Sequence, residues 1–475
     1  MEPPKSVIII GGGVFGLGIA MALATRPAYA NTTITLIDRA PTLPASDAAS
    51  NDASRIVRAD YADPAYARLC AEAMVHWRNQ SDTGIGGNGR YTQSGMILLA
   101  NDNPQRDAAR AASAKARGLD KWKSAKEYVN DSYHNVCALE RSAGRDPARV
   151  IKQLHTRNQV ATEIGCFGHA GDMGYYNELA GWADAGAATK WMYDRVRATG
   201  RVTFLSDTVH SLLRDDADAR VLGAKLDSGK EVRADLVVVA AGAWSGKLVD
   251  LSGRATATGQ ILAYVELTQH EFDQIRTTPV VLNLSNGLFT VPPATRLLKL
   301  ARHAYGYLNP MPAPNALPVT PGARVPPTAS LPRTSFDDAR LEIPLEGAND
   351  LRQLLTNVIA LNSLHGRPFV KTRLCWYSDT PTGDFLIDYH PGWKGLFVAT
   401  GDSGHGFKFL PVLGEKIVDC ISGCVDEELK KRWRWREAVS GGEIVATEDG
   451  SRAGLPGLLL DEELRRVKLT SRESG

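Results

Sequence analysis

Gly11, Gly13 and Gly16 stand in "SVIIIGGGVFGLGIAMALATR", between a β-branched run and a small-residue run with helical spacing. In that setting G-x-G-x-x-G is a dinucleotide loop. Gly11 allows the tight turn, Gly13 lets a pyrophosphate approach the backbone, and Gly16 lets helix pack on strand. The phosphates are expected at the helix N-terminus, beside Val14 and Phe15. A second strand, "TTITLID", ends in Asp38, placed to accept hydrogen bonds from a ribose diol and to disfavour a 2′-phosphate, and Arg39 follows it. Far downstream, "ATGDSGHGFKFLP" sets Gly401, Gly404 and Gly406 around Asp402, His405, Phe407 and Lys408, with a lone Cys375 upstream. Such a turn lets backbone lie against a flat ligand. A helix expected to begin within "FKFLPVLGEKIVDCI" would aim its dipole at that ligand.

The elements that must position these residues can be read in turn. The stretch "GWADAGAATKWMYDRVRATG" has a helical pattern stopped by Gly200. After it, "RVTFLSDTVHSLLRDD", "RVLGAKLDSG" and "EVRADLVVVAAGAWS" read as a strand meander, and the last, a continuous apolar run, must be covered on both faces. It ends in Ala241, Gly242 and Ala243, where backbone can approach a ligand. Rossmann unit, helix, meander and "VVVAAGAW" in that order resemble FAD-dependent oxidoreductases of the glutathione-reductase-like fold. No second G-x-G-x-x-G follows a strand, so no separate NAD(P)H domain is expected.

The expected fold is α/β (α+β, two domains). Residues 1–75, 171–252 and 373–440 form a Rossmann-type FAD-binding domain, and 76–170 and 253–372 an antiparallel-sheet substrate domain. Residues 441–475 form a C-terminal extension. Within the second domain, "GQILAYVELT", "PVVLNL", "GLFTVPP" and "RLLKLARHAYGY" read as strands. The proline-dense "LNPMPAPNALPVTPGARVPPTASLPRTS" can form neither a helix nor a central strand and must run over the surface.

Bulk properties exclude several classes. The chain has 475 residues, 43% of them hydrophobic, and a formal net charge of +2 with interspersed signs, which favours neither nucleic acid nor membrane. Its six cysteines show no CxxC or metal-ligand spacing, so no metal is expected and the chain reads as reduced and intracellular. No signal-peptide pattern, bilayer-length apolar run or S-K-L type ending is present, and a cytoplasmic location is expected. The basic aromatic run "KKRWRWRE" reads as a segment packing its tryptophans on the core.

"SNDASRIVRADY", "LLKLARHAYG" and "LCWYSDTPTGDFLIDYHPGWKGLFVATGDSGHGFKF" together resemble the monomeric sarcosine oxidase and amadoriase (fructosyl amino acid oxidase) family. The resemblance implies FAD held covalently and oxidation of secondary amines of amino acids, with oxygen as acceptor and hydrogen peroxide as product. It implies that Cys375 forms the thioether to the flavin, and that Arg58 and Lys408 bind the substrate carboxylate. Lys299 would activate oxygen at the flavin, and Arg55 would touch the flavin edge. Ser50, Ser54, Val209, Ala241, Gly242, Trp244, Asp402, Gly404, His405, Gly406, Phe407 and Lys408 join the glycine loop as expected cofactor contacts. Arg58 lies one turn after Arg55 if that segment is helical.

His303 stands where amadoriases carry an acid and sarcosine oxidases a histidine, and Tyr377 likewise follows the sarcosine oxidase pattern. With "SRIVR", these residues imply an N-methyl or cyclic secondary amino acid, pipecolate or saccharopine rather than a fructosyl substrate, with His303 or Tyr377 tuning loss of the amine proton. A fructosyl amino acid oxidase and, in another class, an NAD(P)H-dependent flavin monooxygenase are the alternatives. The expected partners are an amino acid and molecular oxygen, and the expected state is a monomer.

Overall fold

The computed structural model describes residues 2–116, 122–439, 447 and 449–473. The apolar run Ser6–Ile10 lies inside a six-stranded sheet, flanked in parallel by Thr33–Asp38 and Leu236–Val239. The strand order is Leu386–Tyr389, Leu396–Thr400, Leu236–Val239, Ser6–Ile10, Thr33–Asp38, Val202–Ser206. Leu386–Tyr389 alone among these runs antiparallel to its neighbour. Leu236–Val239 is at most 4% exposed, as a strand covered on both faces requires. The helix Val14–Thr25 follows the glycine loop. Its small residues let the helix Leu413–Ser422 approach so closely that a Cβ on Gly18 would sit 3.1 Å from the Gly414 Cα.

Two of the expected strands are each divided between sheets. "RVTFLSDTVHSLLRDD" breaks at Asp207, whose N–H donates to the Asp38 carbonyl at 2.9 Å. Val202–Ser206 therefore joins the parallel sheet, and Val209–Asp215 starts a three-stranded meander with Arg220–Leu226 and Glu231–Arg233. The run "EVRADLVVV" divides in the same way between Glu231–Arg233 and Leu236–Val239.

A ten-stranded sheet makes the other half. Its long strand Thr256–Glu266 pairs on one side with Lys371–Asp379 and on the other with Leu297–Arg302. The register sets Tyr264 opposite Lys299, Gln260 opposite Cys375 and Thr258 opposite Tyr377. With a period of two, one face carries Lys299, Ala301, Cys375 and Tyr377. Ile261, Ala263, Leu298, Leu300 and Leu374 pack on the opposite face against Leu351, Leu354 and Leu355 of the helix Leu345–Val358. Met173–Asn177 and Lys371–Asp379 belong to this sheet, beyond the boundaries expected for the substrate domain. Within the expected extension, which lies partly outside the described residues, Leu458–Leu459 adds a strand beside Tyr307–Leu308.

The proline-dense segment forms a two-stranded ribbon, Pro310–Pro312 with Thr328–Ser330. Trp433 is fully buried and donates to the Tyr66 hydroxyl at 3.1 Å, while Trp435 packs 4.5 Å from the His390 ring. Both tryptophans of "KKRWRWRE" thus face inward. No described helix is long and apolar enough to cross a membrane.

Candidate functional site

A cavity of about 460 Å³ runs from the glycine loop to the second glycine turn, a size usual for a small-molecule or cofactor site. Gly11, Gly13, Val14, Phe15, Asp38, Arg39, Ser50, Arg55, Val209, Ala241, Gly242, Trp244, Asp402, Gly404, Gly406 and Phe407 all line it, as expected, and Tyr377 does too. Gly16 lies behind the loop, where a Cβ would come within 1.8 Å of the Gly11 carbonyl oxygen. The N-terminus of the helix Val14–Thr25 has no side-chain cap and no acid in its first turn, so its backbone N–H groups are available to an anion. Asp38 accepts from the N–H of Gly12 at 2.7 Å and of Ala40 at 2.9 Å, and burial raises its pKa. Arg39 lies 4.7 Å from the Trp244 ring centroid, a planar group beside a planar ring. Met311, Pro312, Leu331 and Pro332 of the ribbon segment and Trp376 complete the wall. Open N–H donors, a diol-sized acceptor and apolar flat walls fit a flavin dinucleotide.

A second cavity of about 70 Å³ shares Arg55, Tyr377, Gly404 and Phe407 with the first. Around it stand Arg58, Lys299, His303 and Lys408, together with Ser54, Cys375 and His405, which do not line the larger cavity. A Cβ on Gly404, whose φ is +65°, would strike the Tyr377 ring at 2.3 Å, so that turn admits only glycine.

Lys299 is buried, not outward-facing, and its Nζ donates to Asp52 at 2.6 Å and to the Ser54 carbonyl at 2.7 Å. Burial pulls the Lys299 ammonium down to about 8 although Asp52 opposes the shift. Asp52 also accepts from Arg55 and the Tyr264 hydroxyl; burial works against its ionisation, but Lys299, Arg55 and Arg373 hold it far below the carboxylate range. Arg55 Nη2 lies 3.2 Å from the Cys375 sulfur.

Arg58 is buried, 5.1 Å from the Tyr61 ring centroid, and its Nη1 has no hydrogen-bond partner among the described residues. Arg55–Val57 is a strand paired with Gly181–Ala183, not a helix, and so Arg55 and Arg58 are not a helical turn apart. Lys408 Nζ donates to the Tyr61 hydroxyl and to the His405 carbonyl, both at 2.9 Å. Burial, then the charge of Arg58, lowers Lys408 to about 7. His405 Nε2 donates to the Gly383 carbonyl at 2.8 Å, which leaves Nδ1 to accept from Tyr61 at 3.0 Å. A 3₁₀ turn at Phe407–Phe409 precedes the helix Leu413–Ser422, so no helix N-terminus stands at Phe407 to aim a dipole at the cavity. Burial pushes the Asp402 carboxyl up to about 6, against the N–H groups of Ser378 and Gly404.

Residues 6–420 match the family described as FAD dependent oxidoreductase. The chain belongs to that family. Amino acid oxidase fsqB of Aspergillus fumigatus is 32% identical to this oxidoreductase, over 89% of this chain and 93% of the relative. L-saccharopine oxidase of Schizosaccharomyces pombe is 29% identical, over 93% and 95%. Among solved structures, fructosyl peptide oxidase from E. terrenum superposes with a TM-score of 0.75 at 24% identity, covering 97% of each chain, a likeness that carries the fold.

Three residues that hold the lining of the oxidoreductase's smaller cavity, Asp52 behind Lys299, Tyr61 behind Lys408 and Arg452 behind His303, escaped sequence reasoning. Asp52 and Tyr61 lie inside "SNDASRIVRADY", where an acid and a phenol hydroxyl near two arginines were the available signal. Arg452 had no local signal. It is 4% exposed and reaches His303, Asp379 and Ser403 from the far end of the chain.

Proposed function

We propose that this FAD-dependent enzyme oxidises a secondary amino acid, N-methylated or cyclic, to its imine, with oxygen as final acceptor. The observation that carries the reading is Arg58. A buried guanidinium nitrogen without a partner, beside Lys408 and next to the flavin-sized cavity, is what an incoming carboxylate would satisfy. The names of the amino acid and saccharopine oxidases among the relatives support the same substrate class.

When bound, FAD supplies acceptance of a hydride from the carbon next to the substrate nitrogen and delivery of the electrons to oxygen as peroxide. Ser50, the glycine loop and Asp38 would hold its dinucleotide part, and Ala241 to Trp244, Asp402 and the Gly404 turn its ring. Cys375, whose sulfur accepts from the Arg55 guanidinium at 3.2 Å, would hold the ring covalently. Arg58 and Lys408 clamp the substrate carboxylate, which fixes the reacting carbon in one place and supplies several kcal/mol of orientation, by the usual scale of such effects. Lys299, buried and paired with Asp52, keeps a cation where oxygen reacts. Tyr377 forms part of both cavity walls, where it packs on the Gly404 turn.

Anaerobic bleaching of the visible flavin band with sarcosine, N-methyl-tyrosine, pipecolate, saccharopine, fructosyl-lysine and NADPH tests the reading. Bleaching by a secondary amino acid, reversed with peroxide release in air, is expected. Bleaching only by fructosyl-lysine would move the substrate to the amadoriases, and bleaching only by NADPH would move the chemistry to the monooxygenases. After acid precipitation the colour is expected to stay with the protein, and in Cys375→Ser to enter the supernatant.

A further inference from the structure

The segment that delivers Arg452 lies beyond the residues matched to the family, which end at 420. A backbone bridge between Ala304 and Ala453 sews it to the end of the strand Leu297–Arg302, and the Tyr305 N–H donates to the Ala453 carbonyl at 2.9 Å. The Arg452 guanidinium is then enclosed by three elements of the site. Nη1 donates to His303 Nδ1 at 3.1 Å, and Nη2 to Asp379 and to the Ser403 carbonyl, the latter at 2.6 Å. Its carbon centre lies 5.0 Å from the Tyr377 ring centroid. Ser403 is a non-glycine residue at φ +45°, and it leads directly into the Gly404 turn.

A guanidinium has only hydrogens to offer. His303 Nδ1 must therefore be the lone-pair nitrogen, and Nε2 carries the hydrogen. Nε2 has no partner among the described residues, and His303 lines the smaller cavity. The charged and titratable groups around the ring are Arg452 from the C-terminal segment, Arg58 from the N-terminal strand region, His405 and Lys408 from the glycine turn, and Tyr377 beside it. The charges among them are positive and disfavour a second proton. Burial is the larger cause, and with these charges it holds His303 well below the ordinary histidine value.

We propose that Arg452 is a positioning residue that locks His303 as a neutral imidazole presenting Nε2–H to the substrate cavity. Arg58, Lys408 and His303 then all offer N–H groups, so the cavity selects a substrate rich in acceptors, and His303 does not take up the amine proton. This assignment rests on the amine oxidase reading for its substrate but not for its test.

The test uses the FAD-loaded full chain with ¹⁵N-labelled histidine, and His303→Gln identifies the His303 signal by its loss. In the wild type, a neutral Nε2–H imidazole that stays unchanged from about pH 5.5 to 8.5 is expected, across the range where an ordinary histidine titrates. In Arg452→Met, and in Arg452→Met/Asp379→Asn, which removes the charge otherwise left unpaired, a share of His303 is expected to carry its hydrogen on Nδ1, and its ionisation is expected to move up towards about 6.5 while staying below it, because burial, Arg58 and Lys408 remain. The kcat/KM of the same variants should show that upward-shifted ionisation as a steeper fall at the acid end than in the wild type, and His303→Gln/Arg452→Met should lack it. A wild-type His303 that carries its hydrogen on Nδ1, or that titrates near the ordinary value, overturns the proposal. A double variant in which His303 stays wholly in the Nε2–H form, with its ionisation where the wild type has it, overturns it too. The NMR signal needs no turnover, so an error in the substrate class would leave this result standing.

Discussion

The nucleotide end and the amine end of the site are built by different means. At the nucleotide end the contacts are loop backbone and small residues, gathered by one β-α-β unit within the first 38 residues and two later loops. At the amine end they are single side chains from well-separated segments, Arg58, Lys299, His303, Tyr377, Lys408 and Arg452, brought together by strand register and a C-terminal bridge. Backbone sites tolerate side-chain change outside their glycines, whereas side-chain sites depend on buried charges that each need a partner. Substitutions should therefore fail differently at the two ends.

The largest effect is expected from Gly16→Val, which drives a Cβ into the Gly11 carbonyl oxygen. The variant should purify without flavin colour, and a fully yellow protein would break the comparison. Next comes Lys299→Met. Stopped-flow reoxidation by oxygen should slow by roughly 10²- to 10³-fold, the usual cost of removing an electrostatic stabiliser, with anaerobic reduction changed much less. Equal slowing of both would assign Lys299 to the Asp52 network alone.

Arg58→Met is expected to weaken substrate binding by about 1.5–3 kcal/mol, roughly 10- to 100-fold, the scale of a charge-assisted hydrogen bond, with flavin content unchanged. The smallest effect is pH-dependent. Lys408 is lowered to about 7 from its ordinary 10.5, so its cation is present below that value and is lost as pH rises through it. Affinity for a carboxylate inhibitor should therefore drop by up to about tenfold per pH unit above 7, and the slope should vanish in Lys408→Met. A flat profile in the parent would show that Arg58 binds the anion alone.

The sequence was legible where function is local. Gly11, Gly13, Gly16 and Asp38 sit in one continuous pattern, and the structure lines the cavity with the first two and Asp38 and packs the helix with Gly16. Lys299 and Cys375 were found through resemblance, because nothing in "LLKLARH" reveals that Asp52 waits opposite. The strand break at Asp207 was missed, since an apolar run states that it is buried but not which sheet takes it, and the segment at Arg55, considered as a helix, is a strand. The helix expected within "FKFLPVLGEKIVDCI" begins at Leu413, after a tighter turn at Phe407–Phe409 that takes its N-terminus away from the glycine turn. Arg452 was beyond reach: its contacts with His303 and Asp379 span 149 and 73 residues of sequence.

Trp244 and Trp376, which both line the larger cavity, also make this protein its own optical gauge. Indole emission overlaps flavin absorption, so excitation of either ring drains into a flavin held beside it. With two of the chain's nine tryptophans against the cavity, tryptophan fluorescence will be weaker in the loaded enzyme than in the empty one, whatever the redox partner. A titration of apoprotein with FAD can then be followed by fluorescence alone, before any substrate is known.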